Sequence, residues 1–185
     1  PEAEVPTPGA VEPASELQLF NWTEYIDPEI YTLFEEEYGI QVVENNFASN
    51  EELLAKLQGG TEGYDVIFPS DYTVSILIEE GMLAPLDHSL LSNRGNLGER
   101  FQNPPYDPGN VYCVPHHWGP TGFGYNSAEI EEPQSWSVLF DPDPESAWYG
   151  RTTMLDDPRE AFAAALIYLG YSVNTTDQAE LEQAR

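Results

Sequence analysis

The stretch LQLFNWTEYIDPEIYTLFEEEYGI, residues 17–40, places Trp22, Glu24 and Tyr25 on one short turn, and Ser70, Asp71 and Tyr72 make a similar set in GYDVIFPSDY. What such groups can bind is framed by charge. Six Lys and Arg stand against 33 Asp and Glu, a formal net charge of -27, which repels nucleic acid and anionic membrane surfaces and concentrates cations. Cationic small molecules are the ligands this composition favours. The same acid excess also reads as a surface kept soluble by its charge.

The other reactive side chains argue against catalysis. His116 and His117 are neighbours, and neighbours on a strand point to opposite faces, which makes a poor two-ligand metal site. Cys113 is the single cysteine, so an internal disulfide and a multi-cysteine metal centre are excluded, and it reads as a buried thiol in a strand. No G-x-S-x-G elbow, H-E-x-x-H helix or phosphate-cradling G-x-x-x-x-G-K occurs. Acidic pairs can serve glycoside hydrolysis when one carboxyl has a raised pKa and the two stand roughly 5 to 10 Å apart. We expect no catalytic residues, no metal site and no cofactor.

Asp157 and Glu160, in DDPREAF, are three apart at a helix start and share a face. The helix dipole favours their charged forms there. Taken alone, the D-x-x-E pair is ordinary capping.

The elements that would position these residues alternate. LQLFNW reads as a strand, and DPEIYTLFEEEYG as a helix with Asp27 as N-cap, Pro28 at the first position, Ile30, Leu33 and Phe34 on one face, and Gly39 as the stop. IQVVENNF is a second strand. SNEELLAKLQGG is a second helix, with Ser49 and Glu52 in capping-box spacing. A third strand, buried on both faces by Val66, Ile67 and Phe68, precedes a helix that ends at Gly81.

This order predicts an α/β fold with a doubly wound, mostly parallel sheet and right-handed crossovers. In such sheets the ligand crevice lies outside the carboxyl ends of the strands, so Trp22, Glu24, Tyr25, Ser70, Asp71 and Tyr72 should line one rim. The alternative is that Trp22 and Tyr25 cap the core beneath the turn.

Residues 1–16, rich in Pro and Glu, read as a disordered linker, a tether from something upstream of Pro1. Residues 17–115 form a first lobe, 116–126 a crossover, and 127–185 part of a second lobe. Within these, VYCVPHHWGPTGFGYN reads as two extended segments, TTML as a strand and DDPREAFAAALIYLGY as a helix. No apolar run approaches the roughly 20 residues needed to span a bilayer.

LFNWTEYIDPEI, SNEELLAKL, YDVIFPSDY, NPPYDPGN, VPHHWGPTGFGYN, FDPDPES and DDPREAFAAALIYLGYSVNTTD together resemble the periplasmic spermidine- and putrescine-binding proteins that feed ABC importers. The ordered set carries the resemblance, more than any one motif. It implies a type II periplasmic-binding-protein fold, two lobes closing on a hinge, with the second lobe incomplete in this chain. It further implies a monomer outside the cytoplasmic membrane, possible lipid tethering upstream, and importer subunits as partners.

The implied ligand is a methylene chain carrying ammonium groups, held by aromatic faces and carboxylates. Trp22, Tyr25 and Tyr72, with Ser70 nearby, match the family's first-lobe aromatic positions; Thr23 and Glu24 match neighbours able to receive an ammonium. Asp157 and Glu160 match the acidic segment of the second lobe, although Pro158 departs from the family's Ala-like residue there. A binding protein of the same architecture for a sugar or an iron complex is the alternative.

Overall fold

The computed structural model describes residues 14–185, which fall into two compact units, one ending at His116 and one running from His117–Arg185. The linker expected over residues 1–16 lies outside the described residues as far as position 13. Its end needs correction, because Glu16 already opens the first strand and Ser15 O accepts from Gln41 N at 2.9 Å.

In the first unit, β1 (Glu16–Trp22), β2 (Gln41–Phe47) and β3 (Val66–Ile67) form a parallel sheet in the order β2-β1-β3. The register aligns Trp22 with Phe47 and Phe20 with both Asn45 and Ile67. Successive strand residues face opposite sides. On one side Phe20, fully buried, meets Phe47 edge-on at 4.9 Å, stacks on Tyr64 at 4.5 Å, and shares a core with Leu53 of α2 (Asn50–Gln58) and Leu77 of α3 (Asp71–Glu79). On the other, Asn21 and Glu44 meet Tyr31 of α1 (Pro28–Tyr38). Helices on both faces make the sheet doubly wound.

Local chemistry explains the helix ends. Asp27 Oδ1 accepts from Glu29 N at 2.9 Å, Pro28 occupies the first turn, and Gly39 closes α1 at φ 68°, a conformation that costs glycine little. Ser49 caps α2 through Glu52 N, while Glu52 reaches back to Ala48 N, one residue upstream of the usual capping box. Within α1 the side chains turned toward the sheet are Tyr31, Phe34 and Glu35, whereas Ile30 and Leu33 remain about half exposed.

Three strand expectations require correction. β3 holds only Val66 and Ile67, and Val66 is 42% exposed rather than buried on both faces. Its pairing with β1 continues through single bonds, Asp65 N to Gln18 O and Phe68 N to Phe20 O, so β3 follows β1 without a full ladder. Cys113 lies in an extended segment, and residues 152–155 do likewise; neither is a strand. Extended backbone becomes a strand only where a neighbour supplies ladder partners. Among the described residues no strand ladder forms along either segment, although Leu86 N donates to Val111 O at 2.7 Å.

The loop-rich stretch carries three 3-10 helices, His88–Leu90, Ser92–Asn96 and Glu99–Phe101, and then a loop organised by Asp107. Asp107 is 1% exposed, and its carboxylate accepts from Val111 N at 3.0 Å, Tyr112 N at 2.9 Å and Cys113 N at 2.8 Å. Burial first, and then this carboxylate, push the Cys113 thiol up to about 12. The folded state therefore holds the proton more tightly than the unfolded chain. That preference stabilises the fold below about pH 9 and is lost as pH climbs through about 12. Cys113 is accordingly expected to react with iodoacetamide at pH 8 at least tenfold more slowly than glutathione does; an equal rate would show that the thiol is neither shielded nor held protonated.

The second unit contains α4 (Ser137–Phe140), α5 (Pro158–Leu169) and α6 (Gln178–Ala184). Asp157 caps α5 and Gly170 ends it at φ 80°. Ala164, Ala165 and Leu166 are buried, Val138 of α4 is buried too, and Phe140 stacks on Tyr168 at 5.6 Å.

Candidate functional site

Because β1 lies between β2 and β3, the chain leaves β1 in one direction and returns on its other side, and the crevice between β1 and β3 is where an α/β sheet accepts ligand. The loops after these two strands carry Trp22, Thr23, Glu24 and Tyr25, and Ser70, Asp71 and Tyr72.

The first loop is held from beneath. Asn21 is fully buried; its Oδ1 accepts from Trp22 N at 2.8 Å and its Nδ2 donates to Glu44 Oε1 at 2.9 Å. Tyr31 OH donates to the same carboxylate oxygen at 2.5 Å, and burial together with that bond raises the phenol to about 12. Trp22 packs its indole against Phe47 at 4.6 Å, lies 6.5 Å from the Tyr25 ring, and donates from Nε1 to Phe68 O at 2.9 Å. Thr23, Glu24 and Tyr25 are exposed. Glu24 has φ 57°, a left-handed conformation uncommon for a residue with a side chain, and it turns the chain sharply after Trp22. The choice between ligand contact and core cap is therefore not exclusive for Trp22, which joins the edge of the core and still stands beside exposed Tyr25.

The second loop is tied to the first through Phe68 O. Ser70 precedes α3 as its N-cap without a side-chain capping bond, and is engaged instead by Asn50. Asp71 Oδ1 accepts from Tyr72 N at 2.7 Å, and Tyr72 OH donates to Glu51 Oε1 at 3.5 Å. His116, absent from the sequence-derived set, places its ring 6.0 Å from Tyr25 and 5.3 Å from Phe68. Its only sequence signal is its neighbour His117, and an adjacent pair makes a poor metal site. Among the described residues no group of three His, Cys, Asp or Glu could hold a metal ion.

Asp157 and Glu160 belong to the other unit. Asp157 Oδ1 accepts from Arg159 N and Glu160 N, each at 3.1 Å, so the capping role is real. Exposed Glu160 accepts from Thr121 Oγ1 at 2.6 Å. With Thr121 it lines a cavity of about 720 Å³ that also presents Phe123, Tyr125, Trp136 and Trp148. That volume suits a small organic ligand. The aromatics went unnoticed in sequence because they are scattered over 26 positions from 123 to 148 and share no single motif.

A doubly wound parallel sheet with aromatic and acidic side chains on its strand-end loops is the architecture of a lobe of the type II periplasmic-binding-protein fold. The chain belongs to the bacterial extracellular solute-binding protein family, whose model matches residues 29–185. It is 40% identical over 176 residues to the putrescine/cadaverine-binding protein of Pseudomonas aeruginosa, covering 93% of this chain and 50% of that one. Identity is likewise 40% over 171 residues to the spermidine/putrescine-binding periplasmic protein of Escherichia coli, covering 91% and 48%. The crystal structure of the TpPotD lipoprotein of Treponema pallidum superposes with a TM-score of 0.82 at 37% identity, over 91% of this chain and 52% of that one. The chain thus spans about half the length of these relatives.

Proposed function

We propose that the protein captures a polyamine, spermidine or putrescine, outside the cytoplasmic membrane and delivers it to the membrane subunits of an ABC importer, acting as a monomeric binding protein without catalysis. The observation that carries this reading is the Trp22–Tyr25 ring pair beside Glu24, on the loop where the sheet accepts ligand, in a chain of net charge -27. An ammonium over an aromatic face gains roughly 0.5 to 2 kcal/mol. A charge-assisted hydrogen bond adds about 1.5 to 3 kcal/mol. The names of the Pseudomonas and Escherichia relatives support the same ligand class.

Each unit carries its own set of cation-accepting groups: Trp22, Thr23, Glu24, Tyr25, Ser70, Asp71 and Tyr72 in one, Asp157 and Glu160 in the other. Residues 116–126 serve as the hinge.

Isothermal titration of the complete protein at low and moderate salt tests the reading. Saturable heats are expected with spermidine and putrescine, and none with a neutral hexose or ferric citrate. Screening over roughly 8 Å at physiological ionic strength should slow encounter more than it weakens the closed contacts. Silence with both amines alongside a clear hexose isotherm would sink the proposal.

A further inference from the structure

Ser70 is joined to Asn50 by a reciprocal pair of hydrogen bonds. Ser70 N donates to Asn50 Oδ1 at 2.9 Å, and Asn50 Nδ2 donates to Ser70 Oγ at 3.0 Å. The backbone N–H can only donate, so it fixes which end of the carboxamide faces it, and Nδ2 must then face the hydroxyl. One lone pair of Ser70 Oγ is thereby occupied. Ser70, at the N-cap of α3, makes no side-chain capping bond, so the Asn50 contact is the hydrogen bond that engages its hydroxyl.

Asn50 is 2% exposed and sits in the first turn of α2, one turn before Leu53, which is fully buried in the core. It therefore moves with a rigid helix. Two residues before Ser70, Phe68 O accepts from Trp22 Nε1 at 2.9 Å. The loop after β3 is held at one end by Asn50 and at the other by the indole of Trp22.

We infer that Asn50 is a positioning residue for ligand binding: through Ser70 it sets the loop that carries Ser70, Asp71 and Tyr72 and, by way of Phe68 O, the seat of the Trp22 indole. This deepens the polyamine reading and rests on it for the identity of the ligand. The chemistry asks for asparagine. A neutral carboxamide offers one donor and one acceptor in a fixed plane, matching the N–H and the hydroxyl oxygen of one serine. Alanine leaves a part-buried N–H unpaired, and aspartate would turn an acceptor toward the hydroxyl and reverse its proton.

The test compares Asn50→Ala, Ser70→Ala, the double variant and Val74→Ala. Val74 is buried on α3; its amide donates to Ser70 O at 3.0 Å, a backbone bond that alanine keeps, and its side chain takes part in neither of the Asn50–Ser70 bonds, so it serves as the control for lost stability. Hydrogen exchange is followed at the Ser70 amide and the Trp22 indole N–H, and spermidine affinity is measured well below each melting temperature. Asn50→Ala is expected to speed exchange at both sites at least tenfold while β1 amides keep their protection, and to weaken spermidine binding about tenfold. Val74→Ala should melt earlier with affinity within twofold of the parent. Ser70→Ala should reproduce the affinity loss, and adding Asn50→Ala to it should cost little more.

Unchanged exchange at Ser70 and Trp22 in Asn50→Ala overturns the inference. So does faster exchange with unchanged affinity, or a loss fully additive to that of Ser70→Ala. If the parent chain binds no spermidine, the polyamine reading falls separately and the exchange measurement alone decides the role of Asn50. Should Asn50→Ala fail to fold, Asn50→Ser goes through the same comparison under the same criteria.

Discussion

Asp107→Ala is expected to destabilise the unit that ends at His116 by about 3 kcal/mol or more, because each unpaired buried donor costs roughly 1 to 3 kcal/mol. The carboxylate satisfies the amides of Val111, Tyr112 and Cys113 at 3.0, 2.9 and 2.8 Å, and alanine leaves all three without an acceptor. Around it the loop has little freedom to relax. Asn103 and Asn110 take left-handed φ values of 64° and 53°, and they are cross-braced: Asn103 N donates to Asn110 Oδ1 at 2.9 Å and Gly109 N to Asn103 Oδ1 at 2.8 Å. Arg94 Nη2 donates to Gly109 O at 2.9 Å, and His88 Nε2 lies 2.7 Å from Asn110 O.

Urea denaturation measures the effect. Asp107→Asn should recover only part of the loss, since its single oxygen can serve one side of the three-amide fan while its NH₂ faces donors on the other. A cost below about 1 kcal/mol for Asp107→Ala would mean that water replaces the carboxylate and that the loop is not organised from its centre.

This loop also shows where sequence reasoning stops. NPPYDPGN is among the segments that carry the family resemblance, but its local structure rests on bonds from amides four to six positions away to one carboxylate, with asparagines in left-handed turns. Asp27 with Pro28 and Gly39, and Asp157 at the start of α5, were legible because capping is decided within a few residues. β1 and β2 were legible because apolar strands flanked by helices leave few alternatives.

What depends on distant partners was not legible. Val66 looks as apolar as Ile67, yet its exposure follows from which strand lies beside it. Residues 152–155 have strand chemistry and no ladder partner among the described residues. The strand-end loops carrying Trp22, Glu24, Tyr25, Ser70, Asp71 and Tyr72 could be placed from topology alone, whereas their supports Asn21 and Asn50 look like ordinary polar residues until their partners, 23 and 20 positions away, are brought beside them.

Trp22→Ala is expected to cost both stability and affinity. Full truncation of a buried Trp costs about 3 to 5 kcal/mol. Trp22 is only half-buried, and a loss of about 2 to 3 kcal/mol follows from removing its contact with Phe47 and its bond to Phe68 O. Spermidine binding should fall at least tenfold, because the cation loses an aromatic face worth up to about 2 kcal/mol and about 1.4 kcal/mol is a factor of ten. Trp22→Phe separates the two contributions. It keeps a ring against Phe47 and beside Tyr25 but deletes the Nε1 donor, so stability should drop by only about 1 kcal/mol. Affinity should lie between those of the parent and the alanine variant. Melting curves and titrations on the three proteins decide the matter: an alanine variant that melts early yet binds spermidine as tightly as the parent would confine Trp22 to the core and remove it from the binding loop.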